Sequence, residues 1–305
     1  DGAAPTLEGV VGILDDAPTA GAASLSMRAE PRSRRNGGRS LIIEGMSVHF
    51  GGVQALDNVS LEVPAGSIVG IIGTNGAGKT TLFQCIGGFV RADSGRVLLG
   101  GEDISHATPE QRSRRSLGRG FQSARLFPGL TPHDVMCLAL ERYQRASLFE
   151  VAAGLPRAWK DERTTARRAD EILARFHLEP FRDKLVGELS TGTRRVLELA
   201  ALSAIDASVI LLDEPSTGIA QREVEALAPL LASMRDEHGA TLVIIEHDVP
   251  LVSSVADHLH CMDAGRVISS GRPEEVLNDP LVMASYLGTS KVAVERSGPV
   301  GVRHE

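Results

Sequence analysis

Residues 68–81 read Ile68-Val-Gly-Ile-Ile-Gly73-Thr-Asn-Gly-Ala-Gly-Lys79-Thr80-Thr81. A short apolar run ends at Gly73 and a helical stretch opens at Gly78, the strand–loop–helix order of a phosphate-binding loop. Its glycines let backbone N–H groups turn inward around phosphate oxygens, at the positive end of the following helix. Gly73, Thr74, Asn75, Gly76, Ala77, Gly78, Lys79, Thr80 and Thr81 are thus the expected nucleotide cradle. Lys79 would bridge the terminal phosphates, and the Thr80 hydroxyl would ligate Mg²⁺. A glycine-rich turn kept for shape alone has no need of Lys-Thr after its last glycine.

Such a loop serves kinases, GTPases, helicases and transport ATPases alike. Val209-Ile-Leu-Leu-Asp213-Glu214-Pro narrows the field. Four apolar residues predict a buried strand, and Asp213 at its end can hold Mg²⁺ through water. Glu214 is placed to orient and deprotonate an attacking water. Two acidic turn residues after a strand are unremarkable alone; behind a phosphate loop they are a hydrolytic pair.

The surrounding chain fits an α/β reading. It has 305 residues, 42% of them hydrophobic and 23% charged, with a formal net charge of −7. That composition belongs to a globular protein, and the acidic balance argues against general nucleic-acid affinity. No apolar run reaches the roughly 20 residues of a spanning helix. Cys85, Cys137 and Cys261 are far apart and in no CxxC pattern, which suggests neither a disulfide framework nor a zinc site and makes a reducing cytoplasm the default.

Strand signals fall at 41–50, 59–63, 68–72, 96–99, 209–212 and 242–245, with helical stretches between them. Residues 109–116 predict a short helix, and about 131–189 are almost wholly helical in pattern, including the amphipathic stretch 163–177. Residues 1–39, rich in Ala, Gly, Pro, Ser and Arg, read as a flexible arm or linker. Arg28, Arg32, Arg34, Arg35 and Arg39 also suit a tether beside a membrane, which would place membrane segments ahead of Asp1. Residues 291–305 read as a short tail.

Leu189-Ser-Thr-Gly-Thr-Arg-Arg195 supplies the third motif. Alone it passes as a helix cap. In the order phosphate loop, this motif, then Asp-Glu, it resembles the Leu-Ser-Gly-Gly-Gln signature of the ATP-binding-cassette (ABC) family. The resemblance covers about residues 40–290. It implies a P-loop NTPase core (RecA-like) with an antiparallel β subdomain and an inserted α-helical subdomain at about 123–190. It also implies ATP and Mg²⁺ as ligands, with Ser190 and Gly192 contacting the nucleotide of an opposite protomer. Gln122, in Gly-Phe-Gln-Ser, resembles the Q-loop that couples Mg²⁺ and water to the helical subdomain. His247, ending Val-Ile-Ile-Glu-His, resembles the switch histidine at the γ-phosphate. Phe50 resembles the aromatic that stacks on adenine. As single residues, His247 would more often be structural and Phe50 more often core.

Within the family the chain looks most like the ATPase subunits of branched-chain amino-acid importers. The residues behind this are Phe-Gly-Gly-Val-Gln-Ala-Leu at 50–56, Arg-Leu-Phe-Pro-Gly-Leu-Thr at 125–131 and Gly-Arg-Val-Ile-Ser-Ser-Gly-Arg-Pro-Glu-Glu-Val at 265–276. Asn-Asp-Pro-Leu-Val-Met-Ala-Ser-Tyr-Leu-Gly at 278–288 and an extra amphipathic piece at 154–172 point the same way. Lipid and drug transport cassettes share such stretches, so an exporter of lipid or drug is one alternative, and the ABC domain of a longer permease–ATPase fusion is another.

The resemblance implies a homodimer or a heterodimer with a second cassette, permease partners, and a peripheral place on the cytoplasmic membrane face. Thr191 and Thr193 depart from the usual Gly and Gln, and Ala220 stands where an Asp or Asn is usual, with Gln221 as a substitute. A non-transport cassette ATPase is the runner-up. Translation factors of that type carry two cassettes, and DNA-repair types carry a long coiled coil ahead of the signature; neither is found here. A simple nucleotide kinase would lack the signature, Glu214 and His247.

Overall fold

The computed structural model describes residues 37–120, 126–141, 156–219, 224 and 227–286. Expectations for the arm before residue 37, for Gln122, Ala220 and Gln221, and for the tail 291–305 lie outside the described residues. In chain order the first elements are β1 (Leu41–Phe50), β2 (Val53–Val63), β3 (Ile68–Gly73), α1 (Lys79–Gly87), β4 (Ser94–Leu99) and β5 (Glu102–Asp103). Then come α2 (Pro109–Arg114), β6 (Leu117–Arg119), α3 (Pro132–Glu141), α4 (Pro156–Arg175), α5 (Thr191–Ala204) and β7 (Val209–Asp213). The last are α6 (Leu227–His238), β8 (Thr241–Ile245), α7 (Val249–Val255), β9 (His258–Asp263), β10 (Arg266–Gly271) and α8 (Pro273–Leu277). The described residues form two compact units, one of Arg39–Arg115 with Thr241–Tyr286, the other within Ser116–Ala240.

The first unit holds two sheets. In one, β1 lies antiparallel between β2 and β4, with β5 at the edge. β1 buries Leu41, Ile43, Met46 and Val48 with near-alternating exposure, as one-sided antiparallel strands do. In the other, β3 runs parallel to both β8 and β9, and β10 closes antiparallel on β9. Every residue of β3 and β8 is buried, which their unbroken apolar runs require of strands covered on both faces.

Two features fix α1, the helix behind the phosphate loop. Leu82, Phe83 and Ile86 are fully buried on it. At its C-terminal end the buried Arg112 guanidinium donates to the carbonyls of Cys85 and Ile86, at 2.7 and 2.5 Å. Arg112 also reaches the carbonyls of Ala107 and Ser105, at 2.9 and 2.8 Å. A cation there satisfies orphan carbonyls and suits the negative end of the helix. α2, which carries Arg112, starts from a Thr108–Gln111 capping box. Arg39, the last residue assigned to the arm, belongs to this unit: it donates to the carbonyls of Leu99 (2.6 Å) and Arg115 (3.3 Å).

The second unit is mostly helical. Thr165, Ala169 and Leu173 form a buried stripe on α4 at helical spacing, whereas α5 is buried on nearly all sides, with Leu197, Leu199 and Ala200 almost wholly covered. β6 pairs in parallel with β7. Within the stretch expected to be almost wholly helical, the described residues include α3, α4 and two 3₁₀ turns at Glu179–Phe181 and Val186–Glu188. Strands β5, β6, β9 and β10 match none of the strand signals in the sequence. β9 interleaves His258 and His260 with Leu259 and Cys261, so it offers no apolar run. Yet His260 is only 4% exposed, between the Ser270 hydroxyl (2.7 Å) and the Glu62 carbonyl (3.3 Å), and burial pushes its pKa down to about 4.

Candidate nucleotide-binding site

The loop between β3 and α1 is closed by its own lysine. Lys79, 5% exposed, donates from Nζ to the carbonyls of Gly73 (2.7 Å) and Thr74 (2.9 Å). An ammonium folded into the mouth of the loop is a fixed positive charge where phosphate oxygens would sit. Gly78, at φ +98°, precedes the helix; a Cβ there would stand 2.6 Å from the carbonyl oxygen of Ala55. No side chain fits that approach, so the glycine is a packing requirement. Thr80 and Asn75 are exposed, Thr81 is half-buried and Ala77 is buried.

The loop is buttressed from β9 and β10. The Gly265 N–H donates to the Ala77 carbonyl at 3.1 Å, and the Asp57 N–H to the Gly265 carbonyl at 2.9 Å. Thr74 Oγ1 donates to Asp263 Oδ1 at 3.3 Å, and Arg266 Nε to Asp57 Oδ2 at 2.6 Å. Tyr286 meets the loop too: the Gly73 backbone hydrogen-bonds its hydroxyl, while burial raises that hydroxyl's pKa. Cys85 on α1 and Cys261 on β9 are both buried, and burial pushes each thiol up to about 11, which favours the protonated form over a reactive thiolate.

Two more candidates lie in this unit. Phe50 ends β1 with half of its surface exposed, in a hairpin with Val53 opposite; it is not a core residue. His247 follows β8 with its side chain exposed. The buried Glu246 carboxylate accepts from the His247 N–H at 3.1 Å and the Asp248 N–H at 3.4 Å, fixing that turn.

The second unit carries the acidic pair and the signature. Asp213 ends β7 at 3% exposure, with the Arg119 guanidinium 3.6 Å away. Burial lowers the Arg119 pKa, and the neighbouring carboxylate works against that. Glu214 is partly exposed and has a left-handed backbone, φ 49°. The Thr217 hydroxyl donates to its Oε2 at 3.1 Å. Ser190 is the N-cap of α5: its Oγ accepts from the Thr193 N–H at 3.0 Å and lies 2.9 Å from Thr193 Oγ1. Thr193, the departure from the usual Gln, thus contacts the serine directly. Gly192 is buried in the first turn.

The structure therefore groups Phe50, the 73–81 loop and His247 in one unit, and Ser190, Gly192, Asp213 and Glu214 in the other. Arg119, Arg195, Glu246 and Asp263 are site-supporting residues that the sequence did not single out. A charged residue directly behind an apolar strand is the available signal for Glu246.

A lysine-closed glycine loop at the head of a helix, and an Asp-Glu pair ending a buried strand, define a P-loop ATPase. The chain belongs to the ABC transporter family, whose model matches residues 56–217. It is an ABC transporter ATPase with a mixed α/β fold, an antiparallel β subdomain and a parallel core sheet. A second family model, described as a branched-chain amino acid ATP-binding cassette transporter, matches residues 266–292. Among its relatives is the high-affinity branched-chain amino acid transport ATP-binding protein BraF of Pseudomonas aeruginosa, 34% identical over 81% of this chain and 97% of the relative. The lipopolysaccharide export system ATP-binding protein LptB of Haemophilus influenzae is 34% identical over 81% and 97%. A crystal structure of an ABC transporter cassette in its ADP conformation superposes with a TM-score of 0.71 at 30% identity, covering 82% of this chain and 99% of that one.

Proposed function

We propose that this chain is the ATP-hydrolysing motor of a branched-chain amino-acid importer, acting as a homodimer or beside a second cassette. The observation that carries the substrate class is the match over residues 266–292, a segment that begins with β10 and includes Tyr286. Relatives named for amino-acid transport support it. LptB, a lipid exporter's ATPase of equal identity, keeps export as the second reading.

Each residue has a distinct part. Phe50 presents a half-exposed ring for the adenine face. The amides of residues 73–81 and the Lys79 ammonium hold the phosphates. Glu214 takes the proton from the attacking water, and His247 contacts the γ-phosphate. Ser190 and the first amides of α5 receive the γ-phosphate of the nucleotide held by the opposite cassette. Mg²⁺ suits the donors present: the Thr80 hydroxyl and the buried Asp213 carboxylate are hard oxygen ligands, and Gln122 is the third candidate. When bound, the ion would neutralise the negative charge of the nucleotide phosphates.

Among the described residues no helix is long and apolar enough to cross a membrane. On this reading the motor works with permease subunits or a permease domain and lies peripherally at the cytoplasmic membrane face. In the helical unit Phe127, Leu138 and Leu185 are exposed at 61%, 49% and 43%, apolar side chains suited to a short partner helix.

The test is uptake of radiolabelled leucine, isoleucine and valine in cells lacking the native gene, complemented with this chain or with E214Q. Restored uptake by the chain alone supports import. Normal uptake in the deleted strain, with loss of lipid or drug export, would replace the substrate assignment.

A further inference from the structure

Arg195 lies one turn into α5 and is 4% exposed. Its guanidinium donates to three consecutive backbone carbonyls: Nη2 to Asp213 (3.2 Å) and Glu214 (2.6 Å), and Nε to Pro215 (2.9 Å). Nη1 is held by the buried Glu198 carboxylate at 2.6 Å. A planar fork with fixed donors can bind such an arc of acceptors, whereas a flexible ammonium cannot. The arc is the turn in which Glu214 adopts φ 49°, a conformation that a side-chain-bearing residue rarely holds unless its surroundings impose it. Thr217 completes the turn by donating its N–H to the Glu214 carbonyl at 3.1 Å.

We infer that Arg195 is a positioning residue for Glu214: it fixes the left-handed turn that presents the carboxylate, and does so from the helix that Ser190 caps. The same helix thus carries the signature serine at its N-terminus and grips the backbone of the general base one turn later. Thr191 stands beside the same turn, its methyl within 3.4 Å of where a Cβ on Gly218 would lie. This role rests on the reading of Glu214 as the base.

The experiment measures kcat, equilibrium ATP affinity and thermal melting of the full chain for R195K, for R195M/E198M and for E214Q. R195K keeps the buried charge but not the fork. The double variant removes both buried charges together, so that neither is stranded. With Glu214 displaced, kcat should fall about 10-fold or more. ATP affinity should stay within about twofold, because the phosphate loop lies in the other unit. In single-turnover measurements R195K should add little to E214Q, since both act through one carboxylate. A folded R195K with wild-type kcat beside a slow E214Q overturns the positioning role alone. Equal losses from R195K in both backgrounds do the same. E214Q at the wild-type rate removes the base itself, and with it any role in positioning it.

Discussion

The backbone N–H of Gly265 donates to the carbonyl of Ala77 at 3.1 Å, so the turn between β9 and β10 holds the phosphate loop from behind. Gly265 sits at φ +78°, and a Cβ there would lie 2.9 Å from the Ala55 carbonyl oxygen. G265A should strain this turn by roughly 1–3 kcal/mol and loosen the loop. Nucleotide titration should show ATP affinity weakened about 5- to 100-fold if the strain falls on the bound state. Unchanged affinity in a folded variant would mean that the loop keeps its shape without the buttress.

E214Q keeps the volume of the side chain and removes the base. Hydrolysis should slow by about 10²- to 10⁴-fold while ATP still binds and dimers accumulate. Phosphate release and size-exclusion chromatography with ATP read both effects. Near-normal turnover would take Glu214 out of the mechanism.

S190R puts a long cation in place of the α5 cap, whose loss alone costs about 1 kcal/mol of helix stability. It should abolish hydrolysis and leave ATP binding to the same chain intact, because the loop residues are untouched. Should hydrolysis persist at the parent rate, a nucleotide sandwiched between two cassettes is the wrong picture.

His260 makes a pH signature. Its Nε2 can only donate to the Glu62 carbonyl, which leaves Nδ1 to accept from Ser270 in the neutral ring. Burial lowers the folded pKa to about 4, against 6.5 for an ordinary histidine. Between those values the unfolded chain binds more protons, so stability falls as pH drops from about 6.5 toward 4. The ceiling on this loss is about 3 kcal/mol. H260Q should flatten that part of a denaturant-midpoint profile against pH, and an unchanged slope would assign it to other groups.

The catalytic outline was readable because its chemistry depends on local order. Strand, glycine loop and Lys79 are contiguous, and Asp213-Glu214 ends an apolar run, so periodicity and turn residues sufficed. The supports were not readable, because they are long-range. Nothing near Arg195 in sequence says that three carbonyls some twenty positions later need donors. Gly265 likewise looks like an ordinary hairpin glycine until Ala77 and Ala55 are set beside it. β9 escaped notice for a different reason: its buried histidine is neutral and hydrogen-bonded, so a polar letter stands at a core position.

The left-handed backbone at 214 bears on how this chain should be engineered. Judged by backbone comfort alone, a glycine or asparagine would be the stabilising choice at that position. A stability-driven redesign would therefore erase the proposed base while improving the melting temperature, and the product would fold well and idle. At Glu214 activity and durability pull apart; the other non-glycine residues of positive φ, such as Asn58 and Asp206, have no catalytic reason to share that conflict.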